Sequence, residues 1–381
     1  MMEGEIHKLI FVFTINVVAL CYSYYISSKL PKGIYRFISL LPVFYLFTIL
    51  PLFLTSRFAS AATNFFFTWL GNFKLILFAF DHGPLYPMKS LIHFITIGSL
   101  PVQISKNISH DRHEKGKSES SQAQRQEHQG HSYSYMHKMF SYHLGTRMGP
   151  IKFLGFPILI ELVCNHKQNL NPHYILLSIY IMLIYFVVEY MVLVLNTVAW
   201  IVLGVDLDLP FNEPYLATSL QDFWGRRWNL TVSNILRHTI FKPIINIFSN
   251  KDWAPFSAVM ASFLVSGLMH ELFFYYVTRV NPTWEIASYF MLQGICVVVE
   301  LLAKRALAGT LVIPVAVSRL FTVGFVVVTS FWLFFPPLIR SNADVKAIEE
   351  FKLLVYFAKT IVTKSLKCSK CLFMDSYCNV A

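Results

Sequence analysis

The sequence predicts an all-α, polytopic transmembrane protein of about eight spans plus interfacial or re-entrant helices. Of its 381 residues 55% are hydrophobic and only 14% charged. Apolar runs recur at close to the ~20 residues that cross a bilayer, and basic residues collect in short stretches between them. Length alone would allow two soluble domains, which the apolar runs exclude. The formal net charge of +11 suits cytosolic loops facing anionic headgroups, or an anionic substrate. No basic, base-stacking soluble domain is visible, so nucleic acid is not an expected partner. Cys21, Cys164 and Cys296 lie in apolar runs and Cys368, Cys371 and Cys378 in the tail, which implies no extracellular disulfide framework.

Four stretches follow one another: transmembrane segments over 1–104, a polar loop over 105–147, a second transmembrane core over 148–340 and a basic tail over 341–381. A first span near Leu9–Ser28 follows Glu3, Glu5 and Lys8, an acidic start that reads as an uncleaved anchor rather than a signal peptide. Lys29, Lys32 and Arg36 then form a compact basic loop, which belongs in the cytosol and puts the N-terminus in the lumen. Spans near 36–54 and 62–80 come next. The run 89–104 is short and holds Pro101, which suits an interfacial or re-entrant segment. From Lys106 to Arg147 the chain carries seven Lys/Arg against four Asp/Glu and is rich in Ser, Gln and His, as a disordered cytosolic loop would be. Its six histidines have no spacing that completes a tetrahedral set, and no metal is expected.

A short apolar run at 151–164 precedes the long run Tyr174–Gly204, which exceeds one crossing, so that helix should tilt or break. Inside it Glu189 and Asn196 either line a cavity or pair with other helices. In the polar stretch Asn212–Asn229, Thr218 and Gln221 read as a capping box. At helical spacing Thr218, Asp222, Gly225, Arg226 and Asn229 share one face, and Leu216, Leu220, Phe223, Trp224 and Trp228 fall largely on the other. Such a helix lies on the membrane surface with its aromatics at headgroup depth. The span Pro255–Val277 stacks Ser262, Ser266 and His270 on one side, with His270 about 6 Å from the midpoint. An ionisable residue there either serves a cavity or is packed and satisfied by a serine or a carbonyl. Spans at 284–303 and 311–335 flank Lys304 and Arg305, and Pro336-Pro337 ends the last. The stretch Asp344–Lys370 reads as amphipathic and membrane-lying. Eight spans from a lumenal N-terminus would leave this basic tail in the lumen, against the charge rule. Cys368-x-x-Cys371 is half a zinc site without a second pair, and either palmitoylation or ordinary thiols would account for it.

The run Asn212–Asn229, with its SLQDFWGRRWN core, and the segment Ser266-Gly267-Leu268-Met269-His270-Glu271 resemble the plant wax synthase branch of the membrane-bound O-acyltransferases. That branch includes long-chain-alcohol and sterol acyltransferases. The similarity extends over most of residues 9–335, including Pro31-Lys32-Gly33 and Asn72-Phe73-Lys74…Gly83-Pro84-Leu85, and is weakest in 105–147 and after Arg340. It implies an endoplasmic reticulum enzyme in which Asn229 and His270 are catalytic, acyl-CoA is co-substrate without a further cofactor, and the acceptor is a lipophilic alcohol or sterol reached from membrane lipid.

The residues suit that chemistry. A neutral imidazole at His270 can take the proton of a hydroxyl as its oxygen attacks a thioester. Asn229 can donate its amide to the oxyanion or orient the acyl carbonyl. Arg226, Arg227, Arg237 and Lys242 suit the phosphates of coenzyme A, with Trp224 or Trp228 on the adenine; membrane-surface anchoring is the other reading of each. Asp222 and Ser266 complete the candidate set. No histidine has an aspartate four or five residues later, and there is no GxSxG elbow or phosphate-binding GxxxxGK loop. A non-enzymatic transporter with His270 and Glu189 in a polar pathway is the reading from another class, and it leaves the aromatic and basic face before the histidine span without a purpose.

Overall fold

The computed structural model describes residues 2–101, 149–166, 173–204, 208, 210–307, 313–353, 356 and 360. The loop expected at 105–147 lies outside these, as do Cys368, Cys371 and Cys378. Among the described residues there is no strand, and six helices are long and apolar enough to cross a membrane: Gly4–Lys29, Ile34–Phe53, Ile175–Leu203, Ala254–Thr278, Glu285–Leu307 and Val315–Arg340. The architecture is polytopic and all-α, as the sequence predicts.

Two expected spans take another form. From Arg57 to Ala79 the chain is helical throughout but passes through a π-helical stretch, Asn64–Gly71. Its Asn64, Thr68 and Lys74 are buried inside the helical body rather than turned to lipid. Lys74 Nζ donates to the carbonyls of Ile97 (2.7 Å) and Leu100 (2.5 Å) and so closes the end of the nine-residue helix Leu91–Ser99, which is too short to span. Gly149–His166 is the other. The long run His173–Leu203 does not break; it is one helix of 31 residues. Pro336-Pro337 does not end the last span either. A π-helical stretch, Ser330–Phe334, precedes Phe335–Arg340, and the prolines occupy that helix's first turn, where their missing N–H groups leave no intrahelical bond unmade.

Helix ends gather on two faces. On one, Glu5 accepts from the backbone N–H of Thr55 and Ser56, Glu350 from Arg57 and Phe58, and Arg279 donates to the carbonyls of Pro51 and Leu54. Arg57 bonds Val277, and Arg340 pairs with Glu285. On the other, Gly33 N–H donates to Ala79, Arg36 pairs with Asp81, and Glu300 accepts from Leu220 N–H. The start of the tail belongs to the first face and is docked, not floating on lipid: Tyr180 donates to Asp344 (2.8 Å), and Lys352 donates to the carbonyl of Cys164. A buried phenol and two orphan helix N–H groups draw those carboxylates inward, a demand that tail composition does not reveal.

A close helix approach sits beside His270. A side chain on Gly267 would lie 3.1 Å from Ala287 Cα, and one on Gly294 would lie 2.9 Å from Phe263 Cβ, so the helices Ala254–Thr278 and Glu285–Leu307 meet through small residues. Glu271 locks that pair by accepting from the N–H groups of Ile286 and Ala287 at 3.1 and 3.0 Å. Gly267→Val is expected to lower stability by about 1–3 kcal/mol through overpacking. Gly324→Val, which meets open space, should leave the detergent-solubilised protein's melting temperature unchanged.

Candidate active site

His270 projects from the middle third of Ala254–Thr278 into a ring of aromatics. Phe290 stacks on it with centroids 4.1 Å apart and planes at 26°, Trp69 meets it edge-on at 4.8 Å and 82°, and Phe334 lies at 6.3 Å. Its Nδ1 is 2.8 Å from the carbonyl of Ser266. A carbonyl only accepts, so Nδ1 carries the proton and Nε2 keeps its lone pair. Nε2 has no hydrogen-bond partner among the described residues, and the side chain is only partly buried. Ser266 therefore serves through its backbone oxygen.

The polar stretch before this helix does not lie flat as one helix, though Thr218, Gln221, Gly225 and Arg226 stay exposed. Residues 210–230 form a closed loop, with Asn212 N–H donating to Arg227 and Leu230 N–H to Pro210. Its first helical turn is capped by Ser219, one residue later than the expected Thr218: the hydroxyl accepts from Asp222 N–H (3.1 Å), and the Asp222 carboxylate accepts from Thr218 N–H. From Leu220, bonded to Glu300 at 2.7 Å, the loop descends to Trp224, whose indole donates to Gln293 at 3.1 Å. Seven residues separate those two partners on one helix, so the loop penetrates by roughly 10 Å. Trp224 packs on Phe263, Tyr289 and Phe290, while Trp228 stacks on Phe223 at 5.6 Å and 13°. Both are half-buried, their flat faces set on aromatic partners that linear spacing could not show.

The single amphipathic helix expected over this stretch is in fact broken. Phe223–Arg227 is π-helical, Trp228 is extended, and Asn229 takes a left-handed backbone (φ 38°, ψ 68°) to cap the next helix, Leu230–Leu236. Asn tolerates that conformation better than a branched residue. The Asn229 amide oxygen accepts from Val232 N–H at 3.3 Å. That bond orients the amide and leaves its NH₂ without a partner among the described residues. Val232, Ile235 and Leu236 pack with Trp69 and Met269, so the helix that Asn229 caps and the ring beside His270 share one cluster.

The shared face of Asp222 and Arg226 is likewise revised. Arg227, not Arg226, pairs with Asp222 (2.7 Å), and it also donates to the carbonyls of Asn212 and Glu213. Arg226 is exposed and makes no ion pair or hydrogen bond with a described residue; Arg237 and Lys242 are exposed too. Sequence reasoning passed over Trp69, Phe290, Phe334 and Gln293. The signal for Trp69 was present in Asn64, Asn72 and Lys74, polar residues in the same otherwise apolar run. Among the described residues no cluster of His, Cys, Asp and Glu could hold a metal.

A histidine of fixed tautomer among aromatic rings, beside a loop descending from one face, sits within a polytopic helical membrane protein. The profile of the membrane bound O-acyl transferase family matches residues 208–292, the loop and the histidine helix together. The chain is 38% identical over 362 residues to the probable long-chain-alcohol O-fatty-acyltransferase 8 of Arabidopsis thaliana, covering 94% of this chain and 98% of the relative. It is 40% identical over 367 residues to the probable long-chain-alcohol O-fatty-acyltransferase 1 of the same plant, with the same coverages. To the long-chain-alcohol O-fatty-acyltransferase of Simmondsia chinensis it is 38% identical over 362 residues, covering 94% and 97%. The chain belongs to the membrane bound O-acyl transferase family and is an acyltransferase.

Arg227→Ala removes three charge-assisted contacts and leaves the Asp222 carboxylate only the N–H of Thr218. It should destabilise the solubilised protein by about 1.5–3 kcal/mol, whereas Arg226→Ala should stay within about 0.5 kcal/mol of the parent in the same thermal unfolding measurement.

Proposed function

We propose that the protein transfers a long acyl chain from acyl-CoA to the hydroxyl of a long-chain fatty alcohol, forming a wax ester in the endoplasmic reticulum membrane. The observation that carries the chemistry is the Nδ1–H bond to Ser266, which presents Nε2 of His270 as the base. The alcohol donates its O–H to Nε2 as its oxygen adds to the thioester carbonyl. The tetrahedral intermediate collapses, the C–S bond breaks, and the proton on Nε2 passes to the departing thiolate, so the histidine is restored. Asn229 donates its free NH₂ to the oxyanion, an orientation supported by the cap its oxygen makes.

The donor arrives at the face that carries Lys29, Lys32, Arg226, Arg237, Lys242, Lys304 and Arg305, the more basic of the two and hence the cytosolic one. Arg226, unpaired there, suits a phosphate of coenzyme A. Arg227 and Asp222 shape the loop, and Trp224 and Trp228 wall the acyl group rather than stack on the adenine. The fatty alcohol as acceptor rests on the names of the relatives, and the endoplasmic reticulum on the family likeness.

Microsomes from a host without such activity, given labelled palmitoyl-CoA with hexadecanol, a sterol or diacylglycerol in separate reactions, should yield wax ester as the main product. Sterol ester would move the acceptor to a sterol under the same mechanism, and no ester from any acceptor would remove the reading. His270→Ala should abolish product at normal abundance, and turnover within about threefold of the parent would contradict the general base. Asn229→Asp keeps the cap but replaces a donor by an acceptor; kcat should fall about 10²-fold or more with the melting temperature preserved.

A further inference from the structure

Trp69 is 3% exposed, and its indole Nε1–H finds no acceptor among the described residues. The apolar side chains that cluster with it, such as Leu70, Phe73, Val232, Ile235 and Leu236, offer no strong acceptor. An unmet buried donor is a cost to folding that calls for a cause. The indole of Trp224, by contrast, is satisfied within the protein: it donates to Gln293 at 3.1 Å. Trp69 instead meets the His270 ring at 4.8 Å on one side and the helix capped by Asn229 on the other. It also stands in the π-helical stretch Asn64–Gly71, a distortion that re-aims side chains and recurs at functional sites. The orphan donor thus stands against the His270 ring and the helix that Asn229 caps.

We propose that Trp69 is a further catalytic residue of this site, its Nε1–H donating to the thioester carbonyl oxygen of the bound acyl donor and holding that oxygen as it gains charge. The assignment rests on the general-base reading of His270. A donor unpaired in the free protein and satisfied by the substrate's carbonyl strengthens most as the oxyanion forms, which is the differential binding that raises kcat.

The test is Trp69→Phe, which keeps the ring against His270 and deletes only the N–H, assayed beside the parent and His270→Ala. Turnover should fall about tenfold or more with little change in the KM for palmitoyl-CoA, while the ligand-free melting temperature stays level or rises because the orphan donor is gone. In the parent, palmitoyl-CoA should raise the melting temperature more than S-hexadecyl-CoA, a thioether without the carbonyl, and in Trp69→Phe that difference should vanish. Parent-like turnover with the carbonyl preference intact would overturn the role of Trp69, as would a lowered melting temperature with activity lost in proportion. If His270→Ala is inactive in the same assay, the general-base reading survives that failure. If the parent itself makes no ester, that reading falls and the thermal comparison still decides whether Trp69 meets the carbonyl.

Discussion

Backbone N–H and C=O groups have no water to turn to inside hydrocarbon, and much of this structure follows from satisfying them internally. Helix starts are capped by carboxylates reaching from other helices: Glu5 for Thr55 and Ser56, Glu350 for Arg57 and Phe58, Glu271 for Ile286 and Ala287, Glu300 for Leu220. With only 21 Asp and Glu in the chain, each such cap also fixes how two distant segments stand to one another. Glu271 is the consequential one, since it sets the register of the helix bearing Phe290 against the helix bearing His270.

The same constraint prepares the site. The carbonyl of Ser266, already within a helix, uses its second lone pair for the imidazole and so decides which ring nitrogen is basic. Asn229 closes a helix start with its amide oxygen and by doing so turns its NH₂ outward. Any residue at 266 would offer that carbonyl, whereas at 229 the side chain itself makes the cap. Irregular helix serves the surroundings: Trp69 and Phe334 both lie in π-helical stretches, and both touch His270.

The two faces differ in charge. The loop 210–230 enters from the more basic face and leaves Arg226 exposed there, while its tryptophans pack on aromatic partners. The opposite face is held by ion pairs and caps among Glu5, Arg57, Arg279, Glu285, Arg340 and Glu350. It reads as the anchored side of the molecule.

The sequence by itself determined the fold class and the family. Apolar runs of spanning length gave the long helices to within a few residues, the break of composition at Asn212 located the polar stretch, and a histidine four residues past the centre of a span singled out the candidate base. These are local quantities of length, polarity and spacing. What depended on contact between distant residues was left to the tertiary structure: that Arg227 rather than Arg226 meets Asp222, that the loop dives instead of lying flat, that the tail docks through Asp344 and Glu350, and that Trp69 stands against His270. A period of 3.6 residues assumes a regular helix, and here π-helical turns and a left-handed Asn229 break it where the site is built. Which face a side chain occupies then follows from the partners that satisfy the backbone around it, and those lie far away in the chain.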